Sequence, residues 1–462
     1  MRPHPPAHST ALHWLRACSV YGERRVVAIL FLGFSSGLPL ALTFSTLSLW
    51  LTEEGISKTA IGLFALTGVP YTFKFLWAPL VDQLPIPWLT PRLGRRRSWA
   101  ILTQIALMLS LFCLGLSKPG ESPFAAALWA LCTAFWSASQ DIVIDAYRVE
   151  ILEERQYGAG AAMSVLGYRL GMVVSGAAAL YLATFFGWFV TYTLMAALMG
   201  IGMVTILLNP EPAVKTADGR ESQGDNLPPL LAKGPPWPGR RERLMAWVAR
   251  AVVAPFADFM RRDSWGLVLL FILLYKLGDT LAGVMSNPFF LDLAFSKIDI
   301  ANISKIFGLG ATLAGSVVGG VLVNRMGIMK PLLYCGILQM LSNLLFVLLA
   351  QAGHNLGLLT LTIAVENFSS GMGTAAFVAY LSSLCNIAYT ATQYALLTSF
   401  MAFGRTLLAS VGGALADHVG WSAFFLLTTL AAVPGLALLL RMMQRFAVDQ
   451  HPAKETVHES AT

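Results

Sequence analysis

Residues 137–148 read SASQDIVIDAYR and close an apolar stretch that begins near Phe124. Asp141 and Asp145 stand four residues apart in it, so on a helix their carboxylates share one face, a turn apart. A charge at the centre of a membrane helix costs about 2.5 to 3.5 kcal/mol on insertion scales, and such groups face a bundle interior or a water-filled cavity. This pair therefore points to the handling of an ion or a substrate.

Composition places the stretch in a bilayer. Of 462 residues, 56% are hydrophobic and only 12% charged, against about 25% charged in soluble domains. The chain reads as a polytopic membrane protein. The net charge of +7 is no sign of nucleic acid, because Lys and Arg cluster beside the ends of apolar segments. The five cysteines are scattered without metal-ligand or CxxC spacing and read as packing residues, with no structural disulfide and no metal expected. Val26 begins an apolar run too long for a cleavable signal, so it reads as a retained first span.

Outward from SASQDIVIDAYR, apolar runs set against breaks of charge, Pro and Gly predict twelve transmembrane helices, at 26–50, 59–81, 99–116, 123–146, 158–184, 186–208, 265–291, 300–323, 330–351, 356–384, 391–416 and 421–440. The expected fold is an all-α membrane protein of two pseudo-symmetric six-helix bundles. Its layout is a tail 1–25, a bundle 26–208, a polar, proline-rich linker 209–264, a second bundle 265–440 and a tail 441–462. Residues 244–260 have the pattern of an amphipathic surface helix, for which simple tethering is the plainer role. Of 32 Lys and Arg, 24 fall on the side of the termini and linker and three on the other, which places both termini and the linker in the cytoplasm.

The halves repeat. Gly167-Tyr168-Arg169 before Ser175-Gly176 and Gly187-Trp188 parallels Phe403-Gly404-Arg405 before Gly412-Gly413 and Gly420-Trp421. Internal repeats of this kind mark transporters.

Charge inside the spans is selective. Lys74 lies in the second, Asp141 and Asp145 in the fourth, Arg169 in the fifth, Lys276 and Asp279 in the seventh, Glu366 in the tenth and Arg405 in the eleventh. The third, sixth, ninth and twelfth carry none and read as lipid-compatible all round, while the charged spans wall a central polar cavity. Lys276 and Asp279 share one helical face, and Arg169 and Asp141, at comparable depth on consecutive helices, are an expected pair. A carboxylate beside a cation takes up or releases a proton as its hydration changes. The proton-coupling candidates are therefore Asp141, Asp145, Asp279 and Glu366. Lys74, Gln140, Tyr168, Arg169, Lys276, Asn367 and Arg405 are candidate counter-charges or substrate anchors, with structural pairing the plainer role for any one. Tyr71, Trp129 and Trp136 are aromatic candidates for the cavity wall, where packing is the commoner role. Gly33, Gly37 and Pro39 are expected to interrupt the first helix, and Gly167/Gly171 and Gly315/Gly319 to allow close helix contact.

GFSSGLPLAL (33–42), KFLWAPLVD (74–82), GRRRSW (94–99), SASQDIVIDA (137–146), GAGAAMSVLGYRLGMVVSG (158–176), YKLGD (275–279), ENFSSGMGTAAFVA (366–379) and ATQYALL (391–397) occur in order through both halves. Across residues 26–440 they resemble the AmpG muropeptide permeases of the major facilitator superfamily. The resemblance implies a monomeric, multi-pass importer of the bacterial inner membrane. It would use the proton motive force, without a cofactor, to bring in anhydromuropeptides (GlcNAc-anhydroMurNAc with or without a peptide) for peptidoglycan recycling, a process tied in some bacteria to β-lactamase induction. It also implies an inner-loop gating motif in Asp82, Gly94, Arg95, Arg96 and Arg97. Two departures stand out: about eleven residues separate Asp82 from Gly94, and Asn324 stands where the second-half copy often has an acid.

The alternative is a related carrier of another solute, such as acetyl-CoA. A different class is an integral membrane transferase, opposed by the seven histidines, which all lie in tails or outer loops, and by the lack of any nucleophilic triad spacing. No GxxxxGK[ST] loop is present to power a primary pump.

Overall fold

The computed structural model describes residues 19–56, 64–212, 252–262, 264–296 and 299–449, and among them regular structure is helical throughout. The first half begins with α1 (Arg24–Thr43) and α2 (Ser45–Glu53), one span broken at Phe44. The second span is segmented into α3 (Val69–Phe73), a 3-10 turn (Lys74–Leu76) and α4 (Ala78–Gln83). Then come α5 (Arg95–Leu116), α6 (Pro123–Ile151) and α7 (Tyr157–Val173), the last leading through a π turn (Val174–Ala178) into α8 (Ala179–Leu198) and α9 (Gly200–Leu208). After a short α10 (Ala254–Met260), the second half has α11 (Trp265–Tyr275) and α12 (Leu277–Asp292), then a π-helical stretch (Ile300–Phe307) entering α13 (Gly308–Met326). It ends with α14 (Met329–Ala352), α15 (Leu356–Ser383), α16 (Thr390–Val419) and α17 (Trp421–Asp449).

Each of the twelve predicted spans has a helical counterpart here. Eight helical runs are long and apolar enough on their own to cross a membrane. One of them, Glu154–Leu208, covers the fifth and sixth predicted spans and turns at Gly187 (φ 78°, ψ 165°), a conformation open to a residue without a Cβ. Of the predicted surface helix 244–260, α10 forms the end and residues 244–251 lie outside the described residues.

Three expectations are corrected. The first helix runs through Gly33, Gly37 and Pro39 and breaks only at Phe44 (φ −115°, ψ −86°), one turn beyond the proline. Glycines 33 and 37 serve close contact instead. A side chain at either would meet the backbone oxygen of Ser164 or Tyr168 on α7, while Gly167 and Gly171 face the backbone oxygens of Leu30 and Phe34. In the second half Gly315 and Gly319 press on the backbone of Phe368 and Met372 in the same way. Secondly, α5 starts at Arg95 and α6 continues to Ile151, because the charges at these ends are paired inside the protein. Thirdly, the third and ninth spans are not lipid-compatible all round: each buries a glutamine, Gln104 and Gln339. A count of charges passes over neutral amides.

The apolar cores show how the halves meet. At the arginine-rich end, one core joins Val149 and Ala161 to Val323, Leu332 and Tyr380, and another joins Ile144 and Tyr147 to Ala391 and Ala395. Away from that end the cores are separate, one around Leu42, Leu111 and Tyr192 and the other around Phe289, Phe346 and Phe425. The two halves are thus packed together at the arginine-rich end and parted at the other.

Candidate functional site

The closed end is held by charge placed on helix termini. Asp82, at the end of α4, is fully buried and accepts from Arg96 Nη2 at 2.6 Å, from the backbone N–H groups of Ala391 and Thr392 at 3.2 and 2.7 Å, and from Thr392 Oγ1 at 2.6 Å. Those amides open α16, so a first-half carboxylate rests on the positive end of a second-half helix. Arg96 also pairs with Glu150 of α6 at 2.5 Å, and Arg95 donates to the Asp82 carbonyl at 2.6 Å. A single turn at Thr90–Leu93 takes up the eleven-residue spacing and brings Asp82 and Arg96 together.

Three arginines in the first turn of α5 oppose its dipole. Glu211, just beyond α9, offsets them by accepting the backbone N–H of Arg96 at 2.7 Å and of Arg97 at 3.0 Å. Gly94 (φ 89°) is required here, since a side chain would run into Glu211. Arg97 in turn donates to the carbonyls of Ile206 and Leu207, at 3.1 and 2.9 Å, in the last turn of α9. Burial pushes the Glu211 carboxyl up, against the opposing pull of the two amides.

A weaker counterpart exists in the other half. Asn324, at the end of α13, accepts the Ala159 N–H in the first turn of α7 at 3.2 Å, so an amide stands where an acid is often found. Arg148 is buried, lies 5.1 Å from the Tyr394 ring of α16 and pairs with Asp145 at 3.3 Å.

Beyond this seam a cavity of about 390 Å³ opens between the halves. Arg169 and Met172 of α7 line one side, and Ser286 of α12, Thr312 of α13, and Glu366 and Asn367 of α15 line the other. Asn367 donates to Glu366 at 2.7 Å and accepts from Thr312 Oγ1 at 2.9 Å, which orients the carboxylate. Arg169, Lys276 and Asp279 are the charged groups whose fields reach Glu366. Lys276 and Asp279 are bonded at 3.1 Å, as their spacing predicts.

The expected pair of Arg169 with Asp141 does not form. Gly167 and Gly171 turn the flanking face of α7 toward α1, so Arg169, midway between them, points into the cavity. Asp141 instead accepts from Ser36 Oγ and lies in the fields of Lys74 and Asp145. Gln140 is turned away from the cavity, buried and bonded to Ser35 Oγ at 3.1 Å. Tyr71 packs 6.2 Å from Phe44 with its hydroxyl in the field of Asp141, and the backbone of Tyr168 meets Gly37. Trp129 and Trp136 pack against the separate first-half core, away from the cavity lining. The Arg405 side chain lies outside the described residues. The sequence reading missed Ser36, Glu150, Glu211, Thr312, Gln339 and Thr392. Only the two acids, one beside the SASQDIVIDAYR stretch and one within NPEP, carried a signal that could have found them.

The described residues form a helical bundle whose halves close one end over an internal charged cavity, the arrangement of a carrier that moves solute between its halves. Residues 29–278 and 268–461 match the Major Facilitator Superfamily. Among solved structures, the fold is similar to the fucose:proton symporter of E. coli, with a TM-score of 0.64 at 13% identity, covering 90% of this chain and 98% of that one. It is also similar to a human organic anion transporter, with a TM-score of 0.61 at 16% identity, covering 90% and 99%. By sequence, the chain is 42% identical over 423 residues to the anhydromuropeptide permease of Escherichia coli (strain K12), spanning 91% of this chain and 80% of the relative. It is 34% identical over 432 residues to the putative transporter AmpG 4 of Rickettsia felis, spanning 93% and 99%. The protein belongs to the AmpG permeases of the major facilitator superfamily and is a multi-pass membrane transporter.

Proposed function

We propose that this protein imports anhydromuropeptides across the bacterial inner membrane, coupled to inward proton movement, as a monomer with both termini and the linker in the cytoplasm. The observation that carries the substrate is the 42% identity to the anhydromuropeptide permease along 91% of the chain. Sidedness follows from the arginine bias, so the closed end is cytoplasmic and the cavity takes substrate from outside. Coupling is supported by carboxylates in two places, Asp141 bonded to Ser36 and Glu366 oriented by Asn367, each within reach of cations. An importer needs such groups to carry different charge in its two conformations.

Right-side-out vesicles given labelled anhydromuropeptide, with and without an inward proton gradient, test this reading. Uptake that rises with the gradient and is lost in a normally expressed Asp141→Asn variant is expected. Uptake of labelled acetyl-CoA instead would overturn the substrate, and gradient-independent uptake would overturn the coupling.

A further inference from the structure

The seventh span is not one helix. It breaks at Lys276 (φ −100°, ψ 8°), between α11 and α12, and Asp279 lies in the first turn of the second piece, where the helix dipole favours a carboxylate. The ammonium of Lys276 reaches over the break to Asp279 at 3.1 Å. A third group closes the ring: the Gln339 amide nitrogen donates to Asp279 Oδ2, while its oxygen lies 3.5 Å from Lys276 Nζ. Gln339 is on α14, whose one charged residue, Lys330, is in its first turn, and is buried.

The opposite flank of Gln339 meets α15. A side chain at Gly373 would strike the Gln339 amide, so the α15 backbone rests directly on it. Gly373 is seven residues, about two turns, beyond Glu366 and therefore on the same face of α15. One neutral amide thus touches the broken helix carrying Lys276 and Asp279 and the helix carrying Glu366. The charged groups facing this place are Lys276 and Asp279 from the seventh span, Glu366 from α15 and Arg169 from α7. The nearby Tyr275 and Cys335 complete the titratable set.

We propose that Gln339 is a positioning residue of the coupling site. It clamps Lys276 onto Asp279 across the helix break, and release of the clamp lets Lys276 pass from Asp279 to Glu366. Protonation of Asp279 removes the charge that holds the ammonium, and displacement of α15 against Gln339 as the halves rock completes the release. The proton moves onto Asp279, Lys276 keeps its own, and the ammonium exchanges one carboxylate for the other, so charge balances. This rests on the proton-coupled reading above.

The test uses the full chain in proteoliposomes, comparing gradient-driven accumulation of labelled anhydromuropeptide with counterflow in the same vesicles. Gln339→Leu keeps the bulk and removes both polar contacts. Accumulation is expected to fall about tenfold relative to counterflow, the size of effect given by losing a hydrogen bond to a charged group, with a displaced pH midpoint. Gly373→Ala, which pushes the amide from its other side, should show the same signature and decides the matter if Gln339→Leu does not fold. An unchanged ratio and midpoint in the folded variants, or equal loss in both modes, overturns the proposal and leaves simple packing. If the parent protein shows no gradient-driven accumulation, the transport reading itself fails.

Discussion

Asp82 accepts the backbone N–H of Thr392 at 2.7 Å, although the two residues lie 310 positions apart in the chain. This contact ties the two halves at the closed end, and it exists only while they are together. The same carboxylate is paired with Arg96 of its own half at 2.6 Å and is shut off from solvent, so opening would leave that pair in place and strip it of the α16 amides and hydroxyl.

Removing one member of a buried pair costs about 3 to 5 kcal/mol where the other charge is left uncompensated, and less here because Arg96 keeps Glu150, but Asp82 also holds the amides of α16. Asp82→Asn should therefore weaken the closed state and lower the thermal midpoint in detergent. A cysteine at Ala162, which in this state would lie against Gly320, should become open to labelling from the arginine-rich side. Labelling no faster than in the Asp82 parent would mean that other contacts hold the seam.

Glycine positions differ sharply in tolerance. Gly37→Val drives a side chain into the Tyr168 backbone, and overpacking of this kind costs about 1 to 3 kcal/mol or more. Gly200→Ala meets nothing within 4 Å and should be neutral or stabilising by up to about 1 kcal/mol, since alanine suits a helix better. Thermal midpoints of the two variants, followed by size-exclusion chromatography, check this order.

Glu211 gives a pH signature. Burial raises its carboxyl pKa in the folded protein above the unfolded value, so its contribution favours the folded state at low pH and is lost as pH rises through the raised value. Glu211→Gln should flatten the stability profile from the ordinary glutamate range upward. An unchanged slope from the ordinary glutamate range upward would show that Glu211 does not set it.

The spans and the two halves were legible because lipid forces long apolar runs and pushes charge to their ends. Asp82 and Arg95–Arg97 were legible as a motif, and Lys276 with Asp279 as a helical spacing. Depth alone misled for Arg169, since it says nothing about which face a residue occupies. Gly167 and Gly171 on either side held that information, because the face that packs on α1 excludes the residue midway between them. Gln339 was invisible to a count of charges, and Glu211 lay in a stretch read as linker although its contacts belong to the first half.

That last feature bears on how the chain can be cut. Asn209 to Pro212 follow the sixth span as a polar stretch, yet Glu211 holds two amides and the Pro210 carbonyl accepts the Tyr147 hydroxyl at 2.8 Å. A split-protein version, a reporter insertion or a protease site belongs downstream of Pro212, where it leaves the arginine helix capped. Cut a few positions earlier, the amino-terminal fragment would lose the anion that closes its own bolt.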